Sequence, residues 1–203
     1  MYHKAVMLSE VLQGLSIDPA GTYVDTTYGG GGHAAAMLDQ LESGRLYAFD
    51  QDREAAENLP EDPKLILLNV NFRYMRNFLK LQQALPVDGI LADLGVSSHQ
   101  IDSPARGFST RFSGPLDMRM NQESGKNARD IVNTYETGQL IHIFRVYGEL
   151  KNAGKLAANI EAKRSERPIE TTRQLSEIMM LTAPRGKENK YLAQAFQALR
   201  IEV

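Results

Sequence analysis

Four short apolar runs punctuate the first half of the chain: Thr22-Tyr23-Val24-Asp25, Arg45-Leu46-Tyr47-Ala48-Phe49-Asp50, Leu65-Ile66-Leu67-Leu68 and Gly89-Ile90-Leu91-Ala92-Asp93. Each has the length and continuous apolar character of a strand buried on both faces. Helical patterning separates them, over about 33–42, 52–59 and 72–81, and an earlier helix over about 7–15 is expected to cover a face or an edge. The order βαβαβαβ calls for a parallel sheet with right-handed crossovers.

After Asp93 the character changes. From Gly95 to Gly125 the chain is rich in Gly, Ser, Pro and Arg and shows no periodicity, so a long loop, either functional or disordered, is expected there. The rest reads as helices. Leu175, Ile178, Met179 and Thr182 share a face behind Thr171-Thr172-Arg173-Gln174, which fits a capping box. Leu192, Phe196, Leu199 and Val203 form a stripe that meets no Gly or Pro before the C-terminus. Charge follows the same division. Residues 1–103 hold 7 basic and 14 acidic side chains, and residues 104–203 hold 16 and 11, so the halves carry −7 and +5. That polarity suits two units, with a polyanion meeting the second. Apolar residues at 42% and charged residues at 24% fit a folded globular chain. Zero Cys excludes disulfides, thiolate metal sites and a cysteine nucleophile. No run reaches the ~20 apolar residues of a membrane span, and Glu10 interrupts the N-terminus too early for a signal sequence.

The sharpest local feature is Asp25-Thr26-Thr27-Tyr28-Gly29-Gly30-Gly31-Gly32-His33, which follows the first strand and opens a helix. Glycines there allow a tight turn and close approach of a ligand to main-chain N–H groups. Gly29-x-Gly31-x-x-Ala34 also meets a loose dinucleotide fingerprint, and a ligand-free strand–helix turn would look much the same. Asp50 lies about 20 residues beyond the glycines, where an acid can accept both ribose hydroxyls of an adenosine. Asp93 ends the fourth strand and Asp25 the first, so three strands end in carboxylates at one sheet edge. Negative charge there suits the sulfonium and ammonium of S-adenosylmethionine better than the pyrophosphate of NAD.

These segments, together with Asp93-Leu94-Gly95-Val96-Ser97-Ser98-His99-Gln100-Ile101-Asp102, Arg106-Gly107-Phe108-Ser109 and Gly114-Pro115-Leu116-Asp117-Met118-Arg119-Met120, closely resemble the bacterial MraW/RsmH family. His3-x-x-Val6-Met7-Leu8-x-Glu10 and Phe196-Gln197-Ala198-Leu199-Arg200-Ile201 extend the resemblance to both ends. It implies a Rossmann-like class I methyltransferase, α/β with a parallel sheet plus an inserted all-helical subdomain. The implied activity is S-adenosylmethionine-dependent methylation of the N4 amine of a decoding-region cytidine in small-subunit ribosomal RNA. The implied divisions are 1–103 for the cofactor-binding domain, 104–190 for the insertion, and 191–203 for a helix returning toward the catalytic domain. Carried over position by position, the cofactor contacts fall on Gly31, Gly32, His33, Asp50, Phe72, Asp93 and Gln100. Phe72 reads from the residues alone as either a core aromatic or a face for adenine. The chain departs from the family at Ala5, usually Pro, and at Lys190-Tyr191-Leu192-Ala193-Gln194, where the family often has His-Pro-Ala-Thr-Arg. Family members continue for about a further third, so a truncated sheet with an exposed apolar edge is expected, favouring a homodimer or a partner segment.

The implied chemistry needs a hydrogen-bond acceptor for the amine protons, and Asp93 or a nearby backbone carbonyl can serve. The base must leave its stack and lie on an aromatic, for which Phe108 and Tyr28 are the candidates. Arg106, Arg111 and Arg119 either grip RNA or form salt bridges with Asp117 or Asp102, and Asp117 either orients Arg119 or accepts from the amine. Lys151, Lys155, Lys163, Arg164, Arg167, Arg185, Lys187 and Lys190 make a candidate RNA-facing surface. His3, His33, His99 and His142 show no metal spacing, and no metal is expected. The implied partner is ribosomal RNA or the assembled small subunit, with no membrane, and the expected location is the cytoplasm. The competing readings are an NAD-dependent oxidoreductase and a non-catalytic RNA-binding module.

Overall fold

The computed structural model describes residues 5–56, 59–123 and 125–203. The first residues of the His3–Glu10 motif and the end of the expected 52–59 helix therefore lie outside the described residues. The chain divides into two compact units, Met1–Ser97 and Ser98–Val203.

In the first unit, β1 (Thr22–Asp25), β2 (Arg45–Phe49), β3 (Leu65–Leu68) and β4 (Gly89–Leu91) form one parallel sheet in the order β3-β2-β1-β4. α1 (Leu8–Leu15) and α2 (Gly32–Leu38) lie over one face, and α3 (Met75–Leu81) over the other. Alternate side chains serve the two layers, as a pleated strand requires. Tyr23, Leu46, Ala48 and Leu91 pack with Ala34, Met37 and Leu38 of α2, while Val24, Tyr47 and Phe49 pack with Leu79 of α3. Right-handed crossovers explain the layering. The path β1–α2–β2 moves one way along the sheet and β3–α3–β4 moves back the other way, so α2 and α3 fall on opposite faces. The expected segment 52–59 forms only a 3₁₀ turn at Arg53–Ala56 among its described residues. The segment 72–81 opens as a 3₁₀ turn at Phe72–Tyr74, capped by the Asn71 side chain, before α3 begins.

The second unit opens with α4 (Ser98–Asp102) and a 3₁₀ turn at Pro104–Arg106 that packs against it. That packing places the division at Ser97/Ser98 rather than at the expected 103/104. Then come α5 (Ala128–Thr134), α6 (Thr137–Val146), α7 (Ala153–Glu166), α8 (Thr172–Met180) and α9 (Glu188–Glu202). Both α7 and α9 pack on each of α5, α6 and α8. The seam is filled by Leu156, Ala157 and Ile160 of α7 and by Ala195, Phe196 and Leu199 of α9. α9 thus lies wholly within this unit, and its buried side is Tyr191, Ala195, Phe196, Ala198 and Leu199. Leu192 and Val203 of the expected stripe are only half-buried. The capping box at the start of α8 forms as expected, with Thr171 Oγ1 accepting from the Gln174 N–H and the Gln174 side chain accepting from the Thr171 N–H. None of the described helices is long and apolar enough to cross a membrane.

The aperiodic segment before α5 is ordered by bonds to distant chain. Leu116 N–H donates to the Glu170 carbonyl at 2.9 Å, Thr172 N–H to the Gly114 carbonyl at 3.0 Å, and Thr172 Oγ1 to the Phe112 carbonyl at 2.8 Å. At Gly107 φ is +72°, and a Cβ would run into the Pro115 carbonyl oxygen. Only glycine permits that close approach of the two chain segments.

Candidate active site

With β2 and β3 on one side of β1 and β4 on the other, the strand order reverses between β1 and β4 while the strands stay parallel. The crevice at their carboxyl ends is where open α/β sheets receive ligands. The residues leaving β1 bond sideways to both neighbours. Thr26 gives its N–H and its hydroxyl to the Leu91 carbonyl, each at 2.9 Å, and Thr27 Oγ1 accepts the Asp93 N–H at 2.8 Å. Tyr28 N–H donates to the Phe49 carbonyl at 3.0 Å and Gly29 N–H to Asp50 Oδ2 at 2.7 Å. The first pair of residues ties the turn to the end of β4, the second pair to the end of β2.

The three expected carboxylates differ in environment. Asp25 has 0% exposure; its Oδ1 accepts the Thr27 N–H at 2.9 Å, and its Oδ2 is buried with no hydrogen-bond partner. Burial pushes its pKa up to about 6, with the Asp50 charge adding to the rise. The Thr27 N–H and hydroxyl and the His33 ring offset part of it. Asp50 is half-buried, and burial raises its pKa against the opposing hydrogen bonds from the Asp52 and Gly29 N–H groups. Asp93, two residues beyond the end of β4, is exposed. An orphaned buried carboxylate oxygen beside a glycine turn, with two further carboxylates at the neighbouring strand ends, is a donor set suited to a cationic adenosyl ligand and unsuited to a pyrophosphate.

Gly31 adopts φ +75°, and a Cβ there would stand 2.7 Å from Tyr28 Oη and 2.9 Å from Cζ. Tyr28 is 5% exposed and belongs to the core, so it has little room to yield. Gly31→Ala is expected to cost about 2 kcal/mol of stability and to weaken ligand binding at the turn at least tenfold, read by thermal melting and calorimetry.

The first unit brings Gly31, Gly32, His33, Asp50, Phe72 and Asp93 to the carboxyl edge of its sheet. Phe72 follows β3 and is 39% exposed, so it is not the core aromatic its sequence context also allowed. Gln100 sits on α4 of the second unit and is buried. Sequence reasoning missed Thr26 and Thr27, which fasten the turn to β4, and two asparagines after β3. Asn69 Nδ2 donates to the carbonyls of Asp50 and Asp52 at 2.9 and 3.0 Å, and Asn71 Nδ2 donates to Gln51 Oε1 at 2.9 Å. Asn-Val-Asn directly after a strand was the available signal, because side-chain amides hold loops that lack a backbone ladder.

In the second unit, several expected substrate contacts turn out to be internal. Arg106 is 2% exposed, and its Nη2 donates to the carbonyls of Arg119 and Met120, both at 3.0 Å. Phe108 is 1% exposed beneath that guanidinium, 5.7 Å away. In this structure neither Phe108 nor Tyr28 therefore presents a face to a base, and Arg106 holds the segment rather than a phosphate. Arg119 forks onto Asp117 at 2.9 and 2.7 Å. Burial alone would raise the Asp117 pKa, but the hydrogen bonds from Arg119 and the charges of Arg119 and Arg106 hold it below the usual carboxylate range. Arg111 pairs with Asp102 at 2.7 Å. Arg164 Nη1 closes the end of α5 through the Val132 and Tyr135 carbonyls at 2.9 and 2.7 Å. Lys151, Lys155, Lys163, Arg167, Arg185, Lys187 and Lys190 remain exposed. Among the described residues no group of three or more His, Asp or Glu is placed to hold a metal ion.

A parallel sheet whose order reverses at a glycine turn flanked by carboxylates, joined to a helical unit, is the arrangement of a Rossmann-like methyltransferase. Residues 1–203 match the MraW methylase family, and the chain belongs to it. Among its relatives are proteins named ribosomal RNA small subunit methyltransferase H from Cytophaga hutchinsonii, 51% identical, from Amoebophilus asiaticus, 54% identical, and from Bacteroides thetaiotaomicron, 52% identical. Each similarity covers 100% of this chain and 69%, 66% and 67% of the respective relative, so the chain spans about two thirds of their length.

Proposed function

We propose that the chain binds S-adenosylmethionine at the β1–α2 turn and belongs to an enzyme that methylates the N4 amine of a cytidine in small-subunit ribosomal RNA. The observation that carries this is the turn from Asp25 to Gly29, bonded to Asp93 on one side and Asp50 on the other, with the buried Asp25 carboxylate between. Bound there, S-adenosylmethionine supplies a sulfonium-activated methyl group.

The chain's residues divide the remaining work. Asp50 keeps lone pairs for ribose hydroxyls while its oxygens accept from the Gly29 and Asp52 N–H groups at 2.7 and 2.9 Å. Exposed Phe72 offers a face to adenine. Gly31 and Gly32 present backbone without a side chain at the turn, and His33 follows in the first turn of α2. Asp93 is exposed, with its backbone fixed by Thr27, and its carboxylate accepts an amine N–H as positive charge develops on nitrogen. Holding the amine in line supplies roughly 7–11 kcal/mol of barrier lowering in ideal cases. The exposed cations of the helical unit suit a phosphate backbone.

Calorimetric titration with S-adenosylhomocysteine and with NAD in parallel tests the ligand class. Tight binding of the first and none of the second is expected, and the reverse would overturn the reading. Asp50→Ala should weaken S-adenosylhomocysteine binding by about 10–100-fold, because the Gly29 anchor and the ribose acceptor go together. Transfer of labelled methyl to small-subunit particles separates an enzyme from an RNA-binding module, since only the first incorporates label.

A further inference from the structure

Residues 5 and 6 lie against the glycine turn, and among the described residues one side chain bonds to them there. His33 is 7% exposed, and its Nε2 stands 2.9 Å from the Val6 carbonyl, 27 residues earlier in the chain. A carbonyl only accepts, so Nε2 carries the hydrogen in this contact. Ala5 lies against Gly32, where a built Cβ would meet the Ala5 Cβ at 3.2 Å. The rest of the segment is lightly held. Val6 and Met7 are apolar yet 62% and 63% exposed, Met7 takes a left-handed φ of 52°, and α1 buries none of its residues fully.

We propose that His33 is a positioning residue whose imidazole latches residues 5–7 over the Gly31–Gly32 turn, and that this strap slows exchange of the ligand held by the turn. The proposal rests on the donor-binding reading above. The latch is made by the neutral Nε2–H ring and by the imidazolium alike, so protonation does not open it. Low burial on one side and, among the described residues, one side-chain hydrogen bond on the other make the strap able to lift without disturbing the sheet. Val6 and Met7 then act as the outer surface of a cover rather than as part of the core.

Three variants of the full chain, His33→Ala, His33→Asn and His33→Gln, separate the latch from packing. A glutamine amide reaches the position of Nε2, whereas an asparagine amide stops short of it. Without ligand, hydrogen exchange of the Val11 N–H, which donates to the Met7 carbonyl at 2.9 Å, should rise at least tenfold in the Ala and Asn variants. It should stay within about threefold of wild type in the Gln variant. S-adenosylhomocysteine dissociation, followed by stopped flow, should accelerate about tenfold in the same two variants and not in the third. Unchanged exchange in His33→Asn overturns the latch, and faster exchange with an unchanged dissociation rate overturns the control of ligand release. If His33→Ala does not fold, the Asn and Gln pair carries the comparison. If wild type binds no S-adenosylhomocysteine, the donor reading fails, and the fastening is still judged by exchange alone.

Discussion

Arg106→Leu is expected to remove about 3 kcal/mol or more from the stability of the second unit while leaving S-adenosylhomocysteine binding by the first unit unchanged. The guanidinium is 2% exposed and holds two backbone carbonyls, those of Arg119 and Met120, at 3.0 Å each. Leucine fills much of the volume but leaves both carbonyls without that donor in a dry site. Unmet buried acceptors cost roughly 1–3 kcal/mol each. The Asp117 carboxylate also loses a stabilising positive neighbour. Hydrogen exchange over residues 104–120 and 137–166 should report the loss, and calorimetry the retained binding. Arg106→Lys discriminates further. A phosphate grip would survive the exchange of one cation for another, whereas an internal fork onto two carbonyls would not, because lysine reaches as a point charge without the planar geometry. Near-native exchange in both variants would show that Arg106 does not hold the segment.

Asp25→Asn is expected to stabilise the protein at neutral pH and to weaken donor binding. In the folded chain Asp25 titrates at about 6, against 3.8 when unperturbed, because burial outweighs the hydrogen bonds from Thr27 and the charge of the His33 ring. Between roughly pH 4 and pH 6 the folded protein keeps a proton that the unfolded chain has released. Stability from this group is therefore fully present below about 3.8 and is lost as pH rises through about 6. At pH 7.5 the ionised, half-satisfied carboxylate costs on the order of 2–3 kcal/mol. An asparagine keeps an acceptor for the Thr27 N–H but carries no charge, and its amide N–H₂ meets no acceptor at the Oδ2 position. A gain of about 1–2 kcal/mol at pH 7.5 follows, with the slope between pH 4 and pH 6 flattened in urea unfolding followed by circular dichroism. S-adenosylhomocysteine affinity should fall about tenfold, since the negative potential at the turn attracts the ligand's ammonium. A stability curve unchanged across pH 4–7 would show that Asp25 is not a buried anion at neutral pH. Sites that carry uncompensated charge in exchange for ligand affinity show this opposition of stability and binding.

What could be read ahead of the fold follows from how local each signal is. β1 and β3 occupy the expected residues, 22–25 and 65–68, because a strand with packing on both faces is written as a short continuous apolar run, even where, as in edge strand β3, the residues are only half-buried. The capping box at Thr171 formed because both partners sit within one turn of helix. The turn from Asp25 to His33 and the acids at 50 and 93 were legible for the same reason, since strand ends and glycines are marked in the chain itself. Phe72 was ambiguous, because an apolar ring after a strand reads the same in the core and at a ligand crevice.

Arg106 and Phe108 show the opposite case. A run rich in Gly, Ser, Pro and Arg reads as aperiodic loop, yet residues 107–120 are ordered by bonds to Glu170 and Thr172 and by a buried guanidinium. Those partners lie dozens of residues away, and no periodicity announces them. The amino-acid sequence thus determined the strands, their order of alternation with helices, the glycine turn and its flanking carboxylates. Tertiary structure alone decided that Asp25 would be dry and Asp93 wet, that Arg106 would face inward, and that Val6 would meet His33. Burial and long-range hydrogen bonds are properties of where chain segments meet, and one residue type carries the same local pattern in either environment.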